Sequence, residues 1–119
     1  MKRYMAIYTG NPQAFEKYQR ENPDPKQREA KEREGMNAWI KWGKDHAQAI
    51  KDNGAPLGRT KRVTRDGITD IRNQMAGYTI VEAESQEAAA KLFLNHPHFM
   101  IFPGDGVEVM ECLPMPEMP

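Results

Sequence analysis

Residues 36–54 limit the fold more than any other stretch. Met36, Trp39, Trp42, His46, Ala49 and Ile50 follow one another at spacings of 3, 3, 4, 3 and 1. That is one face of a helix with 3.6 residues per turn. Both tryptophans of the chain and one of its three histidines lie on it. A helix with so large an apolar face needs a sheet or a second helix to lie on. Asn53-Gly54 reads as its C-cap, and Pro56 bars continuation.

The other segments supply a sheet. Arg3 to Thr9 reads as a strand with neither alternating set strongly polar, which suits a central strand covered on both faces. Asn11 caps a short helix with Pro12 at its first position, carrying Ala14, Phe15 and Tyr18 inward. Asn22-Pro23-Asp24-Pro25 interrupts it. Asp24, Pro25 and Gln27 start the main helix, whose first part to Glu34 is charged and exposed. Gly35 weakens a helix by ~1 kcal/mol relative to alanine, so a bend is expected there. Leu57 to Thr64 reads as a second strand with a turn at Arg65-Asp66-Gly67. A returning strand begins weakly at Ile68, breaks at Arg72-Asn73-Gln74 and runs clearly from Met75 to Ala83. Ser85 caps a second helix that stops at Asn95-His96-Pro97-His98. Phe99 to Pro103 is an apolar connector, and Val107 to Cys112 is the last strand.

The order strand, helix, strand, strand, helix, strand is that of an α+β, ferredoxin-like βαββαβ unit. Two helices cover only one face of a four-stranded antiparallel sheet. The apolar second face is therefore expected to meet the same face of another copy, giving a homodimer in the form of a dimeric α+β barrel. Residues 1–112 form the domain. Residues 113–119, with proline at alternating positions, form an extended tail.

Composition narrows the function classes. The 17 basic and 17 acidic side chains cancel, so no global field draws in nucleic acid or an anionic membrane. No apolar run is long enough to span a membrane, and the apolar run at the N-terminus is too short for a secretory signal. The single cysteine, Cys112, builds neither an internal disulfide nor a cysteine-based zinc site. A reducing, cytoplasmic setting is expected. No nucleotide-binding or serine-triad pattern is present, and neither a cofactor nor a metal is expected.

Several short pieces together resemble the YCII-related (DGPF-type) family of small dimeric α+β-barrel proteins. They are Tyr4-Met5-Ala6-Ile7-Tyr8, Trp39-Ile40-Lys41-Trp42, Asn53-Gly54-Ala55-Pro56-Leu57, Gly77 through Ser85, His96-Pro97-His98 and Gly106-Val107-Glu108-Val109. The resemblance covers most of residues 1–112. Most members are uncharacterised. Some are proposed to use a histidine and an aspartate in a cleft between helix and sheet, and a related dehydrochlorinase uses this fold. Counting back from Gly54, the family's helix histidine falls at Gly43 here, and its aspartate before proline falls at His96. The resemblance thus moves any chemistry to His46 or to the His96-Pro97-His98 corner, or leaves the chain without it.

The candidate catalytic residues are His96, His98 and His46, as general bases at a pocket between the tryptophan helix and the sheet. His96 and His98 equally suit a helix C-terminal cap that gains from the dipole, and His46 suits a satisfied core position. Trp39, Trp42 and Tyr78 are expected to shape the pocket, and Arg59 to hold an anionic group of a substrate. The first functional reading is a cofactor-independent enzyme acting on a small aromatic or anionic molecule by proton transfer. The alternatives are a non-catalytic ligand-binding or regulatory homodimer and a purely structural dimer.

Overall fold

The computed structural model describes residues 1–117 of the chain. Ten elements follow one another: β1 (Lys2–Thr9), α1 (Pro12–Glu21), α2 (Pro25–Asp45), β2 (Ile50–Asp52), β3 (Thr60–Thr64), β4 (Gly67–Ile71), β5 (Met75–Ala83), α3 (Gln86–Lys91), α4 (Pro97–Met100) and β6 (Gly106–Glu111). Four strands form one antiparallel sheet in the order β2-β5-β1-β6. With α2 and α3 as the crossovers, this is the ferredoxin-like arrangement that the order of elements implies.

The alternation in β1 sets the layers. Tyr4, Ala6 and Tyr8 are buried and pack with Trp42 of α2, Ala89 of α3 and Phe93. Across the strand pairs, Tyr4 faces Val81 and Ala6 faces Thr79, both buried. The opposite parity places Met5, Ile7 and Ile80 on the other face, half-buried, with Met110 exposed beside Met5. The centre of that face is apolar, with Arg3 and Glu82 paired at one end and Glu108 beside Ile7, and no helix among the described residues covers it.

The helix starts follow the sequence closely. The Asn11 and Ser85 side chains accept the backbone N–H three residues on, and Asp24 accepts that of Lys26, with Pro12 and Pro25 opening α1 and α2. Of the three α1 residues expected inward, Ala14 and Tyr18 are half-buried, while Phe15 is exposed.

Three expectations are corrected. First, the tryptophan helix does not run to Asn53. It ends at Asp45 with His46 as its C-cap, and the His46 carbonyl accepts the N–H groups of both Ala49 and Ile50. Ile50–Asp52 is then the second strand of the sheet, paired with β5 at Ile50–Val81. A three-residue strand has no period of its own, so its apolar residues extend the helical pattern without belonging to it. Second, Asn53-Gly54 turns from β2 rather than capping a helix. Gly54 has φ +68, and a Cβ there would collide with the Tyr78 carbonyl.

Third, Leu57–Thr64 is not a strand of the sheet. Pairing starts at Thr60 and joins β3 only to β4, as a separate hairpin between β2 and β5. Every residue of that hairpin except Thr60 is exposed, including Val63 and Ile68. The hairpin therefore contributes little to the core. Replacing residues 61–70 with an Asn-Gly turn is expected to cost less than ~1 kcal/mol of stability, as for other surface changes. Urea unfolding measures this; a loss of several kcal/mol would show that the arm is part of the cooperative unit. Gly35 does not interrupt α2, which is one helix from Pro25 to Asp45. The glycine is buried because the Phe102 ring lies against its bare backbone; a Cβ there would sit 2.5 Å from the ring.

Beyond β6, residues 112–117 have no regular structure and are exposed. The last two residues assigned to the tail, Met118 and Pro119, lie outside the described residues. No helix among the described residues is long and apolar enough to cross a membrane.

Candidate functional site

The corner that follows α3 places two histidines on opposite sides of one proline. Asn95, at φ +58, reverses the chain after the last turn of the helical segment. His96 is the N-cap of α4, with Pro97 at the first helical position, and its Nδ1 accepts the backbone N–H of His98 at 3.0 Å. The sequence suggests a cap at the end of the preceding helix; the structure shows the histidine capping the start of the next one. Part of the segment read as an apolar connector belongs to α4.

The hydrogen bond fixes the tautomer of His96. A backbone N–H only donates, so Nδ1 holds the lone pair and Nε2 the proton. His96 is completely buried, and Nε2 has no hydrogen-bond partner among the described residues. It is enclosed by aromatic rings: Trp39 at 4.5 Å and 90°, Trp42 at 4.7 Å and 71°, and Tyr8 at 5.2 Å. Such edge-to-face neighbours are weak acceptors for an N–H. Burial, with the neighbouring His98 and His46, pushes the His96 pKa down to about 4. The ring is a neutral wedge between helix and sheet.

His98 is placed differently. It is 9% exposed, and its Nε2 lies 2.6 Å from the carbonyl oxygen of Thr9 at the end of β1. A carbonyl only accepts, so Nε2 donates and the lone pair is left on Nδ1. The same Thr9 oxygen accepts the N–H of Asp105 at 2.9 Å, so both of its lone pairs are used. Burial lowers the His98 pKa, against the Thr9 hydrogen bond and the Asp105 charge, which raise it. The result is a neutral imidazole at neutral pH with one nitrogen tied to the backbone and Nδ1 without a protein hydrogen bond among the described residues. Gly104 makes this position possible, because a Cβ there would overlap the His98 ring and carbonyl.

His98 borders a cavity of about 390 Å³ between α2 and the sheet. Tyr8, Met36, Trp39 and Phe102 are among its large apolar lining residues, and the Asn53-Gly54 turn also borders it. Tyr8 is positioned by a 2.8 Å hydrogen bond to the Thr79 hydroxyl, which lies 3.3 Å from the Asn53 carbonyl. With the Thr79 proton directed at that carbonyl, the Tyr8 hydroxyl is the donor to Thr79. Burial raises the Tyr8 pKa, with the Thr79 hydrogen bond in opposition, so the phenol stays protonated.

The structure brings together only some of the residues that the sequence selects. His98, Trp39 and Tyr78 border the cavity; Tyr78 does so beside Gly54. Trp42 does not. It is a core residue whose indole N–H donates to the Leu92 carbonyl at 2.8 Å. His46 caps α2 on the far side of Trp42, 5.2 Å from its ring, and does not reach the cavity. Arg59 borders a separate open groove at the base of the hairpin. No carboxylate hydrogen-bonds to a histidine, and no group of three His, Cys, Asp or Glu side chains is placed to hold a metal ion, among the described residues. Three functional positions went unselected: the Thr9 carbonyl, Phe102 and Gly104. Thr9 and Phe102 act on residues 89 and 67 positions away, and Gly104 acts through its close fit against the His98 ring, neither of which local spacing carries.

No family model matches the chain, and no curated protein matches it. Among solved structures it is similar to 5-chloro-2-hydroxyhydroquinone dehydrochlorinase from Burkholderia phenoliruptrix AC1100, in complex with 2,5-dihydroxybenzoquinone. The TM-score is 0.50 at 15% sequence identity, over 90% of this chain and 89% of that one. At this identity the likeness concerns the fold, and it agrees with the ferredoxin-like α+β topology described above.

Proposed function

We propose that this chain is a YCII-related protein that binds a small hydroxylated aromatic molecule in the Trp39 cavity and moves a proton with His98, without a cofactor. The observation that carries the reading is the His98 imidazole. Its Nε2–H is held by the Thr9 carbonyl, its Nδ1 makes no protein hydrogen bond among the described residues, and it borders an aromatic-walled cavity. A base needs its lone pair free and its ring oriented by a second group, and both conditions are met. A phenolic hydroxyl donating to Nδ1 would be the complementary group. The dehydrochlorinase of similar fold, by its name and its bound quinone, handles molecules of this shape.

His96, one residue before Pro97, is assigned a positioning role: it caps α4 and so sets where His98 lies. His46 and Trp42 are left outside the chemistry.

Binding is tested by calorimetric titration with hydroquinone as the probe. His98→Asn keeps a polar side chain at the corner but removes the base, and is expected to weaken binding about tenfold, the worth of one hydrogen bond to a buried ring. Trp39→Ala should weaken it by more, and His46→Asn not at all. Equal affinity for the wild type and the His98 and Trp39 variants would refute the reading.

A second reading, binding without turnover, is favoured by the lack of a carboxylate hydrogen-bonded to His98 among the described residues. Recovering the bound molecule unchanged, with its ring protons unexchanged with deuterated water, would select it.

The domain is further proposed to pair with a second copy through the helix-free face of the sheet. Met5, Ile7 and Ile80 form its apolar centre, and antiparallel sheets facing one another bury such residues well. Light scattering should give twice the mass of the chain, and Ile7→Lys with Ile80→Asp should give a folded monomer.

A further inference from the structure

A second space of about 680 Å³ adjoins the Trp39 cavity, with three lining residues in common. Ala76, His98 and Phe102 border both, so His98 belongs to the wall that the two share. Their linings differ in one decisive respect. The first holds no formal charge apart from what His98 acquires. The second carries Arg72, contributed by the break between β4 and β5, and no aspartate or glutamate.

Arg72 is exposed and makes no ion pair or side-chain hydrogen bond among the described residues. Its neighbours in the chain are already engaged. Asn73 donates to the Thr60 hydroxyl and accepts the Met75 N–H. Lys61, on the hairpin, is paired with Asp70 at 2.7 Å. On its other side, Arg72 borders the open groove that holds Arg59, so this end of the trough is cationic. A positive end on an otherwise uncharged trough concentrates anions there, and a guanidinium pairs with a carboxylate through two parallel hydrogen bonds.

We infer that Arg72 is the anion-binding subsite of this pocket, and that the ligand is an aromatic acid: its hydroxylated ring lies against Trp39 beside His98, and its carboxylate side arm reaches along the trough to Arg72. The inference rests on the ring-binding reading of the Trp39 cavity and adds the charge and shape of the molecule. It also moves the anionic contact from Arg59, the residue that sequence position suggests, to an arginine that shares a wall with His98.

The test compares 3-(4-hydroxyphenyl)propanoate with its uncharged amide by calorimetric titration. The wild type is expected to bind the acid about tenfold more tightly than the amide, a difference typical of one charge-assisted pair. The preference should shrink as salt rises from about 0.02 M to about 0.5 M, because the pair is exposed to screening. Arg72→Gln should abolish it while leaving the amide's affinity unchanged. Arg59→Gln, in the adjoining groove, should leave it intact. Equal binding of acid and amide by the wild type would overturn the Arg72 assignment and leave the ring site standing. So would an equal loss in the Arg59 and Arg72 variants, since the effect would then belong to the general field. Binding of neither probe, or of both unaffected by Trp39→Ala, would overturn the ring reading and this inference with it.

Discussion

Replacing Trp42 by alanine is expected to cost ~3–5 kcal/mol of unfolding free energy, the range for truncating a large aromatic in a core. Three losses add. The indole is 9% exposed and packs in the central cluster with Tyr8, Val81 and Phe93, 5.1 Å from the last ring. Its N–H ties α2 to the turn after α3 through the Leu92 carbonyl. It also forms one wall of the box around His96. Trp42→Phe restores the ring but not the hydrogen bond, and should recover more than half of the loss. Urea unfolding gives both values, provided that the slope is unchanged. A loss under ~1 kcal/mol for the alanine variant would mean that the core does not depend on this residue.

Acid should destabilise the fold through His96. The sign follows from proton counting. The ring titrates at about 4 when folded, against an ordinary 6.5. Between these values the unfolded chain binds a proton that the folded chain refuses, so stability falls as pH drops through that window and is fully present above it. From neutral pH to about pH 4 the loss due to this one side chain is ~2–3 kcal/mol. Below that the folded ring also takes a proton and the contribution levels off. Carboxylates titrate in the same range, so the effect is isolated by comparison with His96→Phe. That variant keeps the aromatic packing, loses the cap at a cost of ~1 kcal/mol, and should show an acid dependence weaker by the stated amount. Parallel pH profiles for the two proteins would contradict a buried neutral His96.

Both predictions concern the helix face that the sequence displays most clearly, and they show how far such a pattern reaches. The 3.6-residue spacing placed Trp39 and Trp42 on the buried side of α2, and the caps at Asn11, Asp24 and Ser85 were readable as single residue types before helical stretches. The strands β1 and β5 were readable as apolar runs, but neither alternating set of β1 is strongly polar, so the sequence did not say which side meets the helices. The pattern failed where it had no means of marking a boundary. Ala49 and Ile50 fit the helical period, yet the backbone turns at His46 and β2 is too short to show a period of two. The residues of β3 and β4 alternate as a sheet strand does, but periodicity does not tell a hairpin exposed on both faces from a strand with one face covered. Gly35 reads as a weak point by propensity alone. The reason for it, the Phe102 ring, comes from 67 residues along the chain.

The site was half legible for the same reason. A proline flanked by histidines after a helix marks a corner, and the corner does border the cavity. Which histidine serves is decided by partners far away in sequence. Thr9 lies 89 positions from His98 and holds one of its nitrogens, while His96 spends its acceptor on the His98 backbone two residues on. Arg59 and Arg72 look alike in sequence and both border the groove at the base of the hairpin; only Arg72 also borders the space that His98 lines.

The central claim is that His98, alone among the three histidines, presents a free basic nitrogen to a ligand cavity. Nitrogen NMR of the imidazole side chains at neutral pH tests it directly. His98 is expected to carry its proton on Nε2, with a bare Nδ1 whose signal moves when hydroquinone is added, while the signals of His46 stay in place. A His98 protonated on Nδ1, or one whose signals ignore the ligand, would contradict it.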